Sequence, residues 1–134
     1  MDTASLLPHA GRMRCVDRLL SHAMAKGVVE TVLRPGHILL CDGFLDPAGY
    51  VELAAQTAGA VRGYTKRLEG GEPDMGYLAG VQEFTVHEEA RQGDTLRIEI
   101  ATVAELGNVS VLSAVISCEG RVLAEGSLKV FTTA

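Results

Sequence analysis

Asp46-Pro47-Ala48-Gly49-Tyr50-Val51-Glu52-Leu53-Ala54-Ala55-Gln56-Thr57-Ala58-Gly59-Ala60-Val61, continuing to Leu68, is the stretch that decides the fold. Pro47 suits the first turn of a helix, where a missing N–H costs nothing, and Asp46 ahead of it is a good N-cap. Lys66 and Arg67 complement the last turn, and Gly70-Gly71 supply the stop. Between those ends almost every side chain is apolar or small, and no stripe is reserved for water. A helix of that kind is enclosed by protein. At about 20 residues it spans roughly 30 Å. Glu52, Gln56, Arg62 and Lys66 interrupt the run, and Ala and Gly dominate it, which argues against a membrane span.

One carboxylate, Glu52, stands near the start of this helix. A buried acid is costly unless it is paired, hydrogen-bonded or protonated. Gln56, four residues on, shares its face and can hold it. The plainer reading is that Glu52 only complements the helix N-terminus.

The rest of the chain reads as strand. Thr3 to Leu7 suggests a turn of helix ended by Pro8. Arg14 to Met24 and Val28 to Leu33 read as a hairpin around Lys26-Gly27. Arg34 to Asp46 is a loop broken by Pro35-Gly36 and bent at Asp42-Gly43. After the helix come strands over Gly76–Val86, Thr95–Ala101, Val109–Cys118 and Arg121–Thr132, with turns at Gly107-Asn108 and Glu119-Gly120. Two strands, a long enclosed helix and four more strands predict an α+β fold, a curved antiparallel sheet wrapped around one central helix. At 134 residues, one domain over 1–134 is the expectation.

Composition narrows the function. A net charge of −5 without a basic cluster argues against nucleic acid, as do three Phe, three Tyr and no Trp. Met1-Asp2-Thr3-Ala4-Ser5 does not read as a secretory signal. Cys15, Cys41 and Cys118 are odd in number and widely spaced, which fits reduced thiols and a cytoplasmic location, with no zinc-ligand spacing. No phosphate-cradling loop, serine elbow or pair of closely spaced metal ligands occurs, so neither a metal nor a cofactor is expected.

Four histidines remain. His22 lies near a turn, and His87 sits beside Glu88 and Glu89 in a polar connection. A lone histidine is most often a surface or capping residue. His37 differs: it follows Pro35-Gly36 in the loop entering the helix, fifteen residues before Glu52. An imidazole near an acid, with a helix N-terminus at hand, can form an acid/base pair beside a positive potential.

In order along the chain stand Leu7-Pro8-His9, Val16-Asp17-Arg18, Gly36-His37, Glu52 with Ala55-Gln56, Tyr77-Leu78-Ala79-Gly80, and Gly93-Asp94 followed by Leu96. This ordered set resembles the hotdog-fold 3-hydroxyacyl-acyl-carrier-protein dehydratases over nearly the whole chain. The resemblance implies that His37 takes the proton from C2 of an acyl thioester, and that Glu52, contributed by the other subunit of a dimer, protonates the departing 3-hydroxyl. It implies an oxyanion donor at Gly49 or Ala48, with Gln56 holding Glu52. It also implies a substrate tunnel with Tyr77, Leu78 and Phe84 as candidate walls. Partners so implied are an acyl-carrier-protein or coenzyme A thioester and a second copy in a homodimer or dimer-based oligomer. Arg62, Lys66 and Arg67 are candidates for docking an acidic carrier.

The chain departs from the family where His37 is followed by Ile38-Leu39-Leu40-Cys41-Asp42 in place of Phe-Pro. The family's Pro-Gly at the helix start is replaced by Pro47-Ala48-Gly49, and the spacing from His37 to Glu52 is one residue longer. These departures resemble a divergent branch of short dehydratases of aryl-polyene pathways, which carry Glu-x-x-Ala-Gln-Thr, here Glu52 to Thr57. His9 is the reserve candidate for the functional histidine. A hotdog thioesterase, using Glu52 to direct water at the thioester, is the alternative enzyme. A non-catalytic subunit sheltering acyl chains is the alternative outside enzymology.

Overall fold

A computed structural model describes residues 2–3, 15–23, 26–68, 70 and 76–132. Among the described residues eight strands and one helix follow in order: β1 (Arg18–Ala23), β2 (Lys26–Val32), β3 (Leu40–Cys41), β4 (Phe44–Leu45), α1 (Pro47–Leu68), β5 (Gly76–Val86), β6 (Thr95–Leu106), β7 (Val109–Cys118) and β8 (Arg121–Thr132). Six of them form an antiparallel sheet in the order β1-β2-β6-β7-β8-β5, and β3 and β4 form a small hairpin of their own. The sheet wraps α1, as expected from the enclosed helix.

Strand alternation sets the inner face. Leu96, Ile98 and Ile100 of β6, and Leu112, Ala114, Ile116 and Cys118 of β7, are buried beneath the helix. From α1 the facing residues include Leu53, Ala54, Thr57 and Ala60, all fully enclosed. Small residues let the helix lie close to a strongly curved sheet.

Asp46 caps the helix as its sequence position suggests. Its Oδ1 accepts the Ala48 N–H at 2.9 Å, and its carbonyl accepts the Gly49 N–H at 2.7 Å. Losing that carboxylate leaves a first-turn donor without a partner. We expect Asp46→Ala to cost about 1 kcal/mol, read as a fall of roughly 4 °C in the thermal midpoint.

Several boundaries differ from the sequence reading. Ala23 pairs with Lys26, so Lys26 and Gly27 belong to β2 and not to the turn. Among the described residues of the strand read over Arg14 to Met24, regular pairing begins at Arg18, the N–H groups of Cys15 and Asp17 being drawn to the side chains of Gln56 and Thr31. β6 runs on to Leu106, five residues beyond the expected end, through a register shift between Thr102 and Ala104 that breaks the alternation. Asp42 and Gly43 both have positive φ (51° and 82°) and join β3 to β4 as a two-residue hairpin, not a simple bend. The expected helical turn over Thr3–Leu7 falls almost wholly outside the described residues, as does His9.

The loop from Leu33 to Asp46 is sewn to the segment 90–94. Leu33 N–H donates to Asp94 O at 2.9 Å, Gly93 N–H to Leu33 O at 2.8 Å, and Gln92 N–H to Gly43 O at 2.8 Å. Ala90 works in both directions: its carbonyl accepts the Leu45 N–H, and its N–H donates to the Tyr50 hydroxyl, both at 2.9 Å. Burial pushes the Tyr50 phenol up from its ordinary value, so it stays neutral while accepting that bond. This stitching fixes the loop that carries His37 against the first turns of α1.

Candidate active site

Three short segments meet at the N-terminal end of α1: the irregular residues 15–17, the loop 33–41, and the first turns of the helix. Asp17, of the Val-Asp-Arg motif, joins the first two. Its Oδ2 accepts the Val32 N–H at 2.9 Å and the Arg34 guanidinium at 3.1 Å. Thr3 hydroxyl donates to the carbonyls of Val16 and Asp17, the latter at 3.0 Å. The motif therefore places the Cys15 peptide against the helix.

Between these segments lies a cavity of about 380 Å³, lined by Cys15, Ile38 to Cys41, Asp46, Ala48, Gly49 and Glu52. Its size is that of a small-molecule pocket, and its wall is mostly aliphatic. Glu52 is half-buried in that wall. Gln56, 2 % exposed, donates from Nε2 to Glu52 Oε1 at 2.9 Å. The same amide accepts the Cys15 N–H on its Oε1 at 2.7 Å.

The Cys15 carbonyl reaches the histidine. It lies 3.1 Å from His37 Nε2, while His37 Nδ1 lies 3.2 Å from the Leu39 N–H. A carbonyl can only accept and a peptide N–H can only donate. His37 Nε2 therefore carries the proton and Nδ1 presents its lone pair. His37 is half-buried, and its own N–H donates to Arg34 O at 3.0 Å. No hydrogen bond joins His37 directly to Glu52; the Cys15 peptide and the Gln56 amide stand between them.

Of the residues singled out in the sequence, His37, Glu52 and Gln56 fall on this one hydrogen-bonded path, and Ala48 and Gly49 line the cavity beside it. The N–H groups of Ala48 and Gly49 are engaged by Asp46 in the resting chain. Gly49 is packed closely: a Cβ there would stand 2.7 Å from Leu45 Cδ1 and 3.3 Å from Leu39 Cβ. Tyr77 pairs with Phe131 at the sheet edge, and its side chain, like that of Leu78, lies outside the described residues. Phe84 is half-buried and packs on the core. His87 is exposed and meets Glu125 at 3.3 Å, as its polar surroundings suggest.

Cys15 escaped the sequence reading. It is 3 % exposed and lines the cavity, and burial, then the Glu52 charge, push its thiol up against a smaller lowering by Gln56. The thiol stays protonated at neutral pH. Only the nearby Val-Asp-Arg motif hinted at position 15. None of Cys15, Cys41 and Cys118 is in a disulfide. Among the described residues no group of His, Cys, Asp and Glu could hold a metal ion, and no helix is long and apolar enough to cross a membrane.

Comparison with known proteins places this geometry. The family model described as "ApeP-like: ApeP dehydratase" matches residues 1–134. Among solved structures, the dehydratase heterocomplex ApeI:P from Xenorhabdus doucetiae superposes with a TM-score of 0.91 at 21 % identity, over 100 % of this chain and 92 % of that one. A hypothetical thioesterase from Streptococcus pneumoniae TIGR4, with coenzyme A, gives a TM-score of 0.69 at 17 % identity, over 87 % of this chain and 85 % of that one. Smu.793 from Streptococcus mutans UA159, bound to acetyl coenzyme A, gives 0.66 at 18 %, covering 87 % of each chain. These likenesses establish the hotdog fold. No curated protein matches the sequence.

Proposed function

Because the chain belongs to the ApeP-like dehydratase family, we propose that it removes water from a 3-hydroxyacyl thioester, carried by an acyl carrier protein, to give the trans-2-enoyl thioester. The observation that carries the reading is the path on which the Cys15 peptide and the Gln56 amide hold His37 and Glu52, with Cys15 and Glu52 in the wall of an aliphatic cavity. His37, oriented by the Cys15 carbonyl, takes the C2 proton on Nδ1, the nitrogen whose lone pair meets only the Leu39 N–H at 3.2 Å. Glu52, protonated, gives its proton to the 3-hydroxyl oxygen as the C3–O bond breaks. Water leaves, and the C2 electron pair becomes the C2–C3 double bond. A thioester makes C2 acidic enough for this, and hydroxide leaves only when protonated. Ala48 and Gly49, at the positive end of α1, supply the field that steadies the enolate-like oxygen.

The working unit in this reading is a pair of hotdog chains in a reducing, cytoplasmic setting. β5, eleven residues long, is an edge of the sheet and offers its free side to a second strand. The resemblance pairs each histidine with the Glu52 of the second chain, and in this reading the path within one chain orients the two groups, each for its own site. The first solved neighbour is itself a heterocomplex, so the second chain can be a copy or a related one.

Turnover of a 3-hydroxyacyl thioester, followed by enoyl absorbance, tests the assignment. His37→Ala is expected to lower kcat by about 10²- to 10³-fold. Wild-type turnover in that variant removes His37 from the reaction and returns attention to His9. Release of free thiol without enoyl product points instead to a thioesterase.

A further inference from the structure

Thr31 puts a hydroxyl where packing alone would be served by valine. It lies on the inner face of β2, between Val29 and Leu33, and all three side chains are fully buried. A hydroxyl withdrawn from water there is costly unless it is hydrogen-bonded. Thr31 Oγ1 accepts the Asp17 N–H at 3.0 Å, so its own proton must point elsewhere. It points to the Cys15 carbonyl, 3.4 Å away, the same oxygen that meets His37 Nε2 at 3.1 Å. One hydroxyl thus spans residues 15–17, from the carbonyl at one end to the N–H at the other.

We propose that Thr31 is a positioning residue for the histidine: it aims the Cys15 carbonyl that holds His37 with Nε2 protonated and Nδ1 basic. This rests on the dehydratase reading above and deepens it. Residues 15–17 stand ahead of the regular pairing of β1, so no strand ladder orients that carbonyl. The Asp17 N–H also meets Glu30 O at 3.3 Å, which anchors position 17 but does not reach the Cys15 carbonyl. A carbonyl free to swing lets the imidazole move its proton to Nδ1, the atom the reaction needs as a base.

Two substitutions separate this role from packing. Thr31→Val keeps the branched shape and leaves the Asp17 N–H with Glu30 O, so the chain is expected to fold. We expect it to lower kcat about 10-fold, the worth of one ordinary hydrogen bond, with KM little changed. Thr31→Ser keeps the hydroxyl and gives up a buried methyl. It is expected to hold kcat within about twofold of wild type while melting lower than Thr31→Val. Activity and stability then rank the two variants in opposite orders, which a merely structural residue does not produce. Wild-type kcat in Thr31→Val, or equal losses in the two variants, overturns the proposal.

The ring nitrogens of His37 give a readout that needs no turnover. With the imidazole neutral, their resonances are expected to report the Nε2-protonated tautomer in wild type and in Thr31→Ser. Thr31→Val is expected to shift them toward the Nδ1-protonated form; resonances that do not change in that variant overturn the proposal. A wild-type chain that makes no enoyl product removes the dehydratase reading instead, and the ring resonances then decide the hold of Thr31 on His37 separately.

Discussion

Glu52→Gln is expected to abolish dehydration, lowering kcat by about 10³-fold, while the thermal midpoint stays within a degree or two. Glutamine keeps the shape of the side chain and keeps an oxygen for the Gln56 Nε2 donor, so the bond now 2.9 Å long survives. The substitution removes only the exchangeable proton. Hydroxide without that proton is a poor leaving group, and the other carboxyl in the wall, Asp46, is engaged as the acceptor of the Ala48 N–H that caps the helix. Cys15 is nearby, but burial, the larger cause of its raised thiol and one that persists in the variant, leaves it too weak an acid to replace a carboxylic acid. The variant should be assayed by enoyl absorbance beside a melting curve. Wild-type turnover with an unchanged melt would end the assignment of Glu52 as the acid.

The largest effect on stability is expected at a bulge between β5 and β8. In β8, Ser127 pairs with Gln82 and Glu125 with Thr85, so Glu83 and Phe84 both stand opposite the single residue Gly126. Glu83 takes φ of 51° to make this bulge. Phe84 is thereby carried over Gly126 and into the core, where it packs on both hydrophobic clusters. A Cβ on Gly126 would stand 2.5 Å from the Phe84 Cα and 2.6 Å from a ring carbon. The nearest obstacle is backbone and cannot swing aside. Gly126→Ala should cost about 3 kcal/mol, a fall of roughly 10 °C in the midpoint. A melt within two degrees of wild type would show that the bulge relaxes easily.

The parts of the fold that were legible in sequence are those set by local chemistry. Asp46-Pro47 and Gly70 mark the helix ends because capping and the loss of an N–H act within a turn. The alternation of Leu96, Ile98 and Ile100 exposes the inner face of β6 because strand period is local too. What stayed hidden depends on residues distant in sequence. Nothing around Gly126 says that Phe84 will lie across it. Cys15 reads as one more apolar residue in a strand-like run. Its importance comes from its peptide, which meets Gln56, 41 positions away, and His37, 22 away. The Asp42-Gly43 dipeptide did carry a hairpin signal, but its two strands are two residues each, too short for any periodicity to show.

Holding His37 and Gln56 by a main-chain carbonyl and amide separates two jobs at position 15. The polar scaffold needs only a backbone, while the side chain is left to shape the cavity wall. Alanine, valine or leucine could occupy this position and resize the greasy space without severing either tie. Evolution and protein engineers alike therefore have a dial here for the kind of chain admitted, one that leaves the machinery for moving protons in place.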